Sequence, residues 1–258
     1  MGYLTILILL FIKSSFAVTD GEFDGDSHPH VGLLIFDVDG APAWRCSGTL
    51  LSSTVMLTAG HCTSGATGGR VWFENNEAEI RADGYPFSGE TSVEFDSIHT
   101  SPDYNPEAFF LNDLGIVILS TPVILAEYAT LPNADALNAL AKRRGKKNQT
   151  FTAVGYGLQK INPVFVEANL NRMFATPRLI QINSPGFTGN FSMLLSNNHS
   201  TGGTCFGDSG GPNFMGDSNV VGGVTSFGIN GNCAGTGGVY RMDRAHDIEW
   251  INLTFLAP

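Results

Sequence analysis

Eight short apolar or alternating runs are spaced along this chain: Val31–Val38, Thr49–Thr58, Arg70–Phe73, Leu114–Leu119, Phe151–Val154, Met173–Ile182, Val220–Phe227 and Gly238–Tyr240. Turn residues separate them, and no long amphipathic helix alternates with them. Many short strands with this spacing predict an antiparallel β-barrel or sandwich, and disfavour a parallel α/β sheet. Composition points the same way. Charged residues make up 15% of the chain, against about 25% in an average domain, while Gly reaches 31. Helix-forming charge is scarce and turn formers are plentiful. One helix is expected at the end, Asp243–Phe255, with Ile248, Ile251, Leu253 and Phe255 partly on one face. Residues 121–148 read as a connecting segment with Leu137–Leu140 inside it. Its cluster Lys142-Arg143-Arg144-Gly145-Lys146-Lys147 reads as a solvated loop, with a docking patch or a proteolysis-sensitive loop as the alternative.

The 258 residues suffice for one large all-β unit or two small domains sharing an interface. A net charge of -10 argues against nucleic acid or an anionic membrane as partner. The run Tyr3–Ile12 is too short to span a bilayer. Small residues at Ser15 and Ala17 follow it, the spacing a signal peptidase reads, although Met1-Gly2 carries no basic side chain. Residues 1–17 therefore read as a secretory signal, with the mature chain starting at Val18 and released outside the cell.

Secretion bears on the four cysteines, which allow three pairings. Pairing within each half, Cys46 with Cys62 and Cys205 with Cys233, is the simplest, and each loop closure is worth about 3–4 kcal/mol on the chain-entropy account. No Cys-x-x-Cys favours a structural zinc, and no metal or other cofactor is expected. Glu74, Glu77 and Glu79 read as an exposed turn, because their spacing fits a calcium loop poorly. Sequons at Asn148, Asn190, Asn198 and Asn252 permit glycosylation on a secreted surface.

The chemistry concentrates in Gly207-Asp208-Ser209-Gly210-Gly211-Pro212. A serine hydroxyl needs a base to take its proton and donors to receive an oxyanion. Flanking glycines let the backbone turn its N–H groups toward a reacting carbonyl. Of the six histidines, His28, His30, His99, His199 and His246 lie in polar or turn contexts and read as surface residues. His61 differs. It ends an apolar strand in Thr58-Ala59-Gly60-His61-Cys62, beside a cysteine that could pin it. Asp113 opens the apolar run Leu114-Gly115-Ile116-Val117-Ile118-Leu119, where a buried acid needs a partner such as an imidazole N–H.

His61, Asp113 and Ser209 occur in the order and local sequence of the trypsin/chymotrypsin-like serine peptidases, and the chain resembles that family over nearly all of its mature length. Thr-Ala-Gly-His-Cys, Asn-Asp-Leu-Gly-Ile and Gly-Asp-Ser-Gly-Gly-Pro resemble its three catalytic blocks. Gly155-Tyr156-Gly157, Ser226-Phe227-Gly228 and Gly238-Val239-Tyr240 resemble further conserved-type segments, and Cys46–Cys62 and Cys205–Cys233 are similar to two of its disulfides. The resemblance implies an all-β fold of two six-stranded antiparallel barrels, about 18–125 and about 135–241, with a closing helix at about 243–255 and the site in the cleft between the barrels.

It also implies roles. Ser209 attacks, His61 shuttles the proton and Asp113 orients His61, while the N–H groups of Gly207 and Ser209 form the oxyanion hole. Asp208 pairs with the amine of a new N-terminus at Val18. The substrate pocket is built from Gly203, Thr204, Ser226, Phe227, Gly228 and Gly238. Gly203 at its base carries no acid, so a large apolar or aromatic side chain is preferred over Arg or Lys, with a broad or small-residue preference as runner-up. Glycines at 228 and 238 leave the mouth open. The expected partners are a protein or peptide substrate and protein inhibitors, met by a monomer.

Three rival readings stand beside this one. Gly207–Gly211 also fits the Gly-x-Ser-x-Gly elbow of an α/β-hydrolase, which would need Asp217 and His246, but no strand–helix alternation supports it. A catalytically silent binding protein on the same fold would usually lack a triad member. A narrow-target toxin-type peptidase shares the chemistry and differs only in role.

Overall fold

The structure is a computed structural model that describes residues 18–141, 149–162, 165–184 and 188–256. The expected signal (1–17), the basic cluster (142–147) and the Asn148 sequon lie outside the described residues. Six strands close the first barrel: β2 (Val31–Val38), β3 (Ala41–Leu50), β4 (Val55–Thr58), β5 (Gly68–Trp72), β6 (Val93–Thr100) and β7 (Gly115–Leu119), in the order β2-β3-β4-β7-β6-β5. The strand β1 (Glu22–Phe23) precedes them but pairs elsewhere. All of β2 except Val38 is buried, because one face fills the barrel and the other meets the rest of the molecule. Leu33, Leu34, Phe36, Leu50, Met56, Val71, Trp72 and Ile116 are buried on the two faces of its wall, in one apolar cluster that continues into Val154, Tyr156 and Phe214 of the second unit.

The second unit is a curled eight-stranded sheet. Its strands are β8 (Phe151–Gly155), β11 (Met173–Ala175), β12 (Leu179–Ser184), β13 (Gly189–Asn197), β14 (Pro212–Met215), β15 (Val221–Gly228) and β16 (Gly235–Arg241), together with β1. The order is β1-β11-β8-β14-β15-β16-β13-β12, and a separate antiparallel pair joins β9 (Lys160–Asn162) to β10 (Phe165–Glu167). The expected six-stranded ring is thus an open sheet that nearly closes. Leu179 N–H donates to Gln149 O (2.9 Å), and Thr150 bridges Arg178, returning β12 to the start of β8. Pro177, which has no N–H, interrupts the run between β11 and β12. Because β1 pairs with β11, the segment from Val18 belongs to this second unit, and the first barrel begins at Val31 rather than near residue 18.

Two expected runs break in the middle. Thr49–Thr58 divides into β3 and β4 around a turn closed by Leu51 N–H to Val55 O (2.8 Å), and Met173–Ile182 divides into β11 and β12. Short helices α1 (Gly60–Thr63), α2 (Glu77–Ala82) and α3 (Asn138–Ala141) sit between strands. The closing helix α4 (Ala245–Ile251) starts two residues later than expected and continues as a wider π-type turn, Asn252–Leu256. Asp243 stays outside the helix because its buried carboxylate pairs with Arg241 (2.8 Å) and accepts the Leu137 N–H (2.8 Å). Among the described residues no helix is long and apolar enough to cross a membrane.

A buried polar network joins the two units. The Arg172 guanidinium donates to Asp24 (2.8 Å), to the carbonyls of Gly25 (2.7 Å), Val31 (3.3 Å) and Phe73 (2.8 Å), and to the Tyr156 hydroxyl (3.3 Å). Asp24 also bonds His28 Nδ1 at 2.5 Å, and His28 stacks on Phe214. Burial opposes the Asp24 charge, yet His28 and Arg172 outweigh it and hold the carboxyl below its usual range. His28 and His30 are therefore not surface residues. His30 is 2% exposed, wedged edge-on against Phe214, and its Nε2 has no partner. Burial, with the charges of His28 and Arg172, pushes His30 down to about 4.

Candidate active site

The Cys46–Cys62 disulfide ties β3 to the short helix that carries His61. Asp113 lies just before β7, and its neighbour Asn112 adopts a left-handed backbone (φ 52) that turns the chain inward. The Asp113 carboxylate is fully buried. It accepts the His61 N–H (2.8 Å), lies 2.9 Å from His61 Nδ1, and accepts the Ser226 hydroxyl (2.5 Å). Three donors thus meet one acid, which offsets the cost of burying it. Ser226, expected only as a substrate-pairing residue, fixes this acid from the second unit. Sequence spacing could not reveal that contact, because the two residues lie 113 positions apart.

The Ser209 loop is fastened to the first barrel. Ser47 N–H donates to Ser209 O (2.8 Å), and Ser47 Oγ donates to Gly207 O (2.9 Å) while accepting the Tyr156 N–H (3.0 Å). Gly207 stands at φ +97, a backbone state that L side chains rarely adopt. Among the described residues, no acceptor takes the Gly207 or the Ser209 N–H. Ser209 and His61 line the same cavities, but no hydrogen bond joins their side chains. The loop is closed on its other side by the Cys205–Cys233 disulfide.

Asp208 is fully buried, and its carboxylate accepts the N–H groups of Gly157 (2.7 Å) and Cys205 (2.8 Å). Burial pushes its carboxyl up to about 7 against those two bonds and the Arg45 charge. Val18 is also fully buried, against Met173 and Ala175, but in this chain its nitrogen is an amide and no bond links it to Asp208. The next residue anchors the segment: Thr19 bridges Gly203, and its hydroxyl bonds Asn197 (3.0 Å) and Gly203 O (2.9 Å).

A cavity of about 480 Å³ opens beside Ser209, walled by Phe109, Thr204, Phe206, Ser226, Phe227 and Gly228 among others. Two expected pocket residues lie elsewhere. Gly203 faces away, against the Asn197 side chain and the Thr19 backbone, so Thr204 takes its place on the wall. Gly238 does not open the mouth, because the Phe227 ring packs directly on it. Among the described residues, no Asp, Glu, Lys or Arg side chain lines this cavity. Among the described residues Cys46, His61 and Cys62 alone bring three potential metal donors together, and the two sulfurs are joined in a disulfide. Glu77 instead pairs with Arg81 (2.6 Å).

The Trypsin family model matches residues 22–248. A collagenase of Hypoderma lineatum is 25% identical over 85% of this chain and 82% of its own length, and brachyurin of Leptuca pugilator is 30% identical over 81% and 84%. A chymotrypsin of Phaedon cochleariae is 25% identical over 82% of the chain and 72% of its own length. The solved HL collagenase structure superposes with a TM-score of 0.74 at 21% identity, covering 93% of this chain and all of that one. The chain belongs to the Trypsin family and is a serine endopeptidase.

Proposed function

We propose that this chain is a secreted endopeptidase that works through Ser209, His61 and Asp113 and accepts an uncharged, apolar or aromatic side chain before the scissile bond. The observation that carries the reading is the His61–Asp113 pair (2.9 Å) standing on the wall of the cavity that also holds Ser209. Asp113 fixes the tautomer with the proton on Nδ1, which leaves Nε2 as the base. Ser209 Oγ bonds to the substrate carbonyl carbon as its proton passes to His61 Nε2. The carbonyl electron pair moves onto oxygen, where the N–H groups of Gly207 and Ser209 receive it. The oxyanion then collapses, the C–N bond breaks, and His61 gives its proton to the departing amine. Water repeats the sequence on the acyl-enzyme and releases Ser209. Ser209 and His61 share no hydrogen bond in the uncleaved chain, and that contact has to close before the proton can pass. The apolar lining of the cavity and the absence of an acid in it favour Phe, Tyr or Leu over Arg or Lys.

Cleavage before Val18 completes the reading. Asp208 has no ion pair among the described residues, and burial holds it near 7. A free amine at Val18 supplies the missing cation and lets the carboxylate ionise. Activity then falls at alkaline pH, as the amine deprotonates and leaves Asp208 charged, buried and unpaired. Cleavage profiling on a peptide library, wild type beside Ser209→Ala, tests the mechanism and the pocket together. Equal cleavage by both proteins rejects the triad, and no cleavage by either leaves a binding protein on the same fold. Preference for Arg or Lys rejects the pocket. N-terminal sequencing of secreted protein that starts elsewhere than Val18 rejects the Asp208 pairing.

A further inference from the structure

A second cavity, of about 360 Å³, adjoins Ser209 on the side away from the apolar one. It shares His61, Phe206 and Ser209 with the first cavity and adds Trp44, Arg45, Cys46, Leu158 and Gly207. A peptide bond held at Ser209 runs between the two. If the residue before the bond fills the apolar cavity, as proposed above, the residues after it pass through this one. Among the described residues, Arg45 is the only Lys, Arg, Asp or Glu in its wall.

Arg45 is held close to the reacting atoms. The next residue, Cys46, is bonded to Cys62 beside His61, and Ser47 donates its N–H to Ser209 O (2.8 Å). The side chain lies over Gly207: a Cβ built there would stand 2.8 Å from Arg45 Nε. Arg70, Arg81, Arg172 and Arg241 each pair with a carboxylate. Arg45 makes no hydrogen bond or ion pair among the described residues, and its charge reaches Asp208 only through space. The chain as a whole carries -10, so its field repels acidic substrates. An unpaired guanidinium inside the cleft reverses that sign locally, and its planar fork fits a carboxylate.

We propose that Arg45 is a specificity-determining residue that selects a carboxylate one or two residues after the scissile bond. The inference rests on the endopeptidase reading above. The carboxylate could come from an internal Asp or Glu or from a substrate C-terminus, and the test separates them. Four peptides share one sequence before the bond. Three are amidated at the C-terminus and carry Glu, Gln or Lys directly after the bond. The fourth carries Gln there and ends in a free carboxylate two residues after the bond. Wild type is expected to prefer Glu over Gln by about fivefold in kcat/KM, the scale of one accessible charge-assisted contact. The preference collapses in about 0.5 M salt. In Arg45→Ala the Glu to Gln ratio falls toward one, in Arg45→Lys part of it survives, and in Arg45→Glu it inverts in favour of Lys. A gain for the fourth peptide alone assigns the site to the C-terminus, and a gain for Glu alone assigns it to an internal acid.

The proposal is overturned if wild type prefers neither the Glu peptide nor the free-carboxylate peptide over the amidated Gln peptide, or if such a preference survives Arg45→Ala. If Arg45→Ala is inactive, the wild-type ratio and its salt dependence decide. Cleavage of all four peptides equally by Ser209→Ala and wild type overturns the endopeptidase mechanism instead.

Discussion

His61 Nδ1 lies 2.9 Å from Asp113, and His28 Nδ1 lies 2.5 Å from Asp24. In both pairs the acid side chain is wholly buried and the imidazole is a quarter exposed or less. What separates them is the rest of the coordination. Asp113 takes its remaining bonds from neutral donors, the His61 N–H and the Ser226 hydroxyl, so the imidazole is its sole ionisable partner. Asp24 already holds Arg172, a permanent cation, at 2.8 Å. His61 also faces a cavity that contains Ser209, whereas His28 lies flat on Phe214. A carboxylate–imidazole pair is thus not a proton shuttle by virtue of its own geometry. It becomes one when the far nitrogen faces a nucleophile and substrate, and it becomes a structural clamp when that face is packed shut.

The largest expected contrast comes from breaking the two pairs in parallel. His61→Ala is expected to lower kcat by about 10⁴–10⁶-fold with little change in stability, and Asp113→Asn by about 10⁴-fold, because the imidazole is then held in the wrong tautomer. Asp24→Asn is expected to destabilise the fold by about 3–5 kcal/mol, because the buried Arg172 loses its counter-charge. The kcat of the folded fraction should change little. Urea unfolding alongside active-site titration separates the two outcomes. A catalytic loss in Asp24→Asn that persists after correction for folded enzyme would erase the distinction.

A sharper form of the comparison uses pH. His30, beside the clamp, is held at about 4 against an ordinary 6.5. Its folded value is depressed, so the stability it permits is complete above 6.5 and is lost as pH falls toward 4, while the unfolded chain takes up the proton first. The loss over that window is on the order of 3 kcal/mol. Asp24, also held below its ordinary value, keeps its full stabilisation across this window and loses it only as pH falls below the ordinary carboxylate range. Asp208, held near 7, adds an opposite slope to both proteins, so it is the unfolding free energy of wild type relative to His30→Gln that should fall between pH 7 and 4. An equal slope in both proteins would show that His30 takes up its proton in the folded state.

The proposed catalytic half of this comparison is legible in the sequence and the clamp half is not. His61, Asp113 and Ser209 each sit in a local block whose residue types suit their job, so each can be picked out without knowing what it touches. Arg172 and Asp24 lie 148 positions apart, in stretches with no periodic or motif signal. His28 and His30 flank Pro29 in what reads as a surface turn, and the packing of Phe174 and Phe214, far away in sequence, encloses them. The missed strands have similar causes. In β6 the exposed Glu94 and Asp96 alternate with half-buried neighbours and read as loop. β14 begins at Pro212, directly after a glycine run. The pocket shows the limit of counting back from Ser209: the offset points to Gly203, but the bridge from Thr19 turns that residue outward and leaves Thr204 on the wall.

Two more pairs extend the series to the surface and carry the smallest expected effect. His199 Nδ1 lies 2.7 Å from Asp20 with the imidazole 87% exposed, and His246 Nε2 lies 3.0 Å from Asp103 with both side chains largely in water. Their distances match those of the buried pairs. Water screens each charge, however, and the flexible side chains lose entropy when they meet, so contacts of this kind contribute little or nothing measurable. His199→Ala and His246→Ala should leave both the unfolding midpoint and kcat/KM unchanged within error, at low salt as well as high. If either variant destabilises the protein as much as His28→Ala does, then distance and not enclosure grades these pairs, and the contrast between His61 and His28 must be rebuilt on different ground.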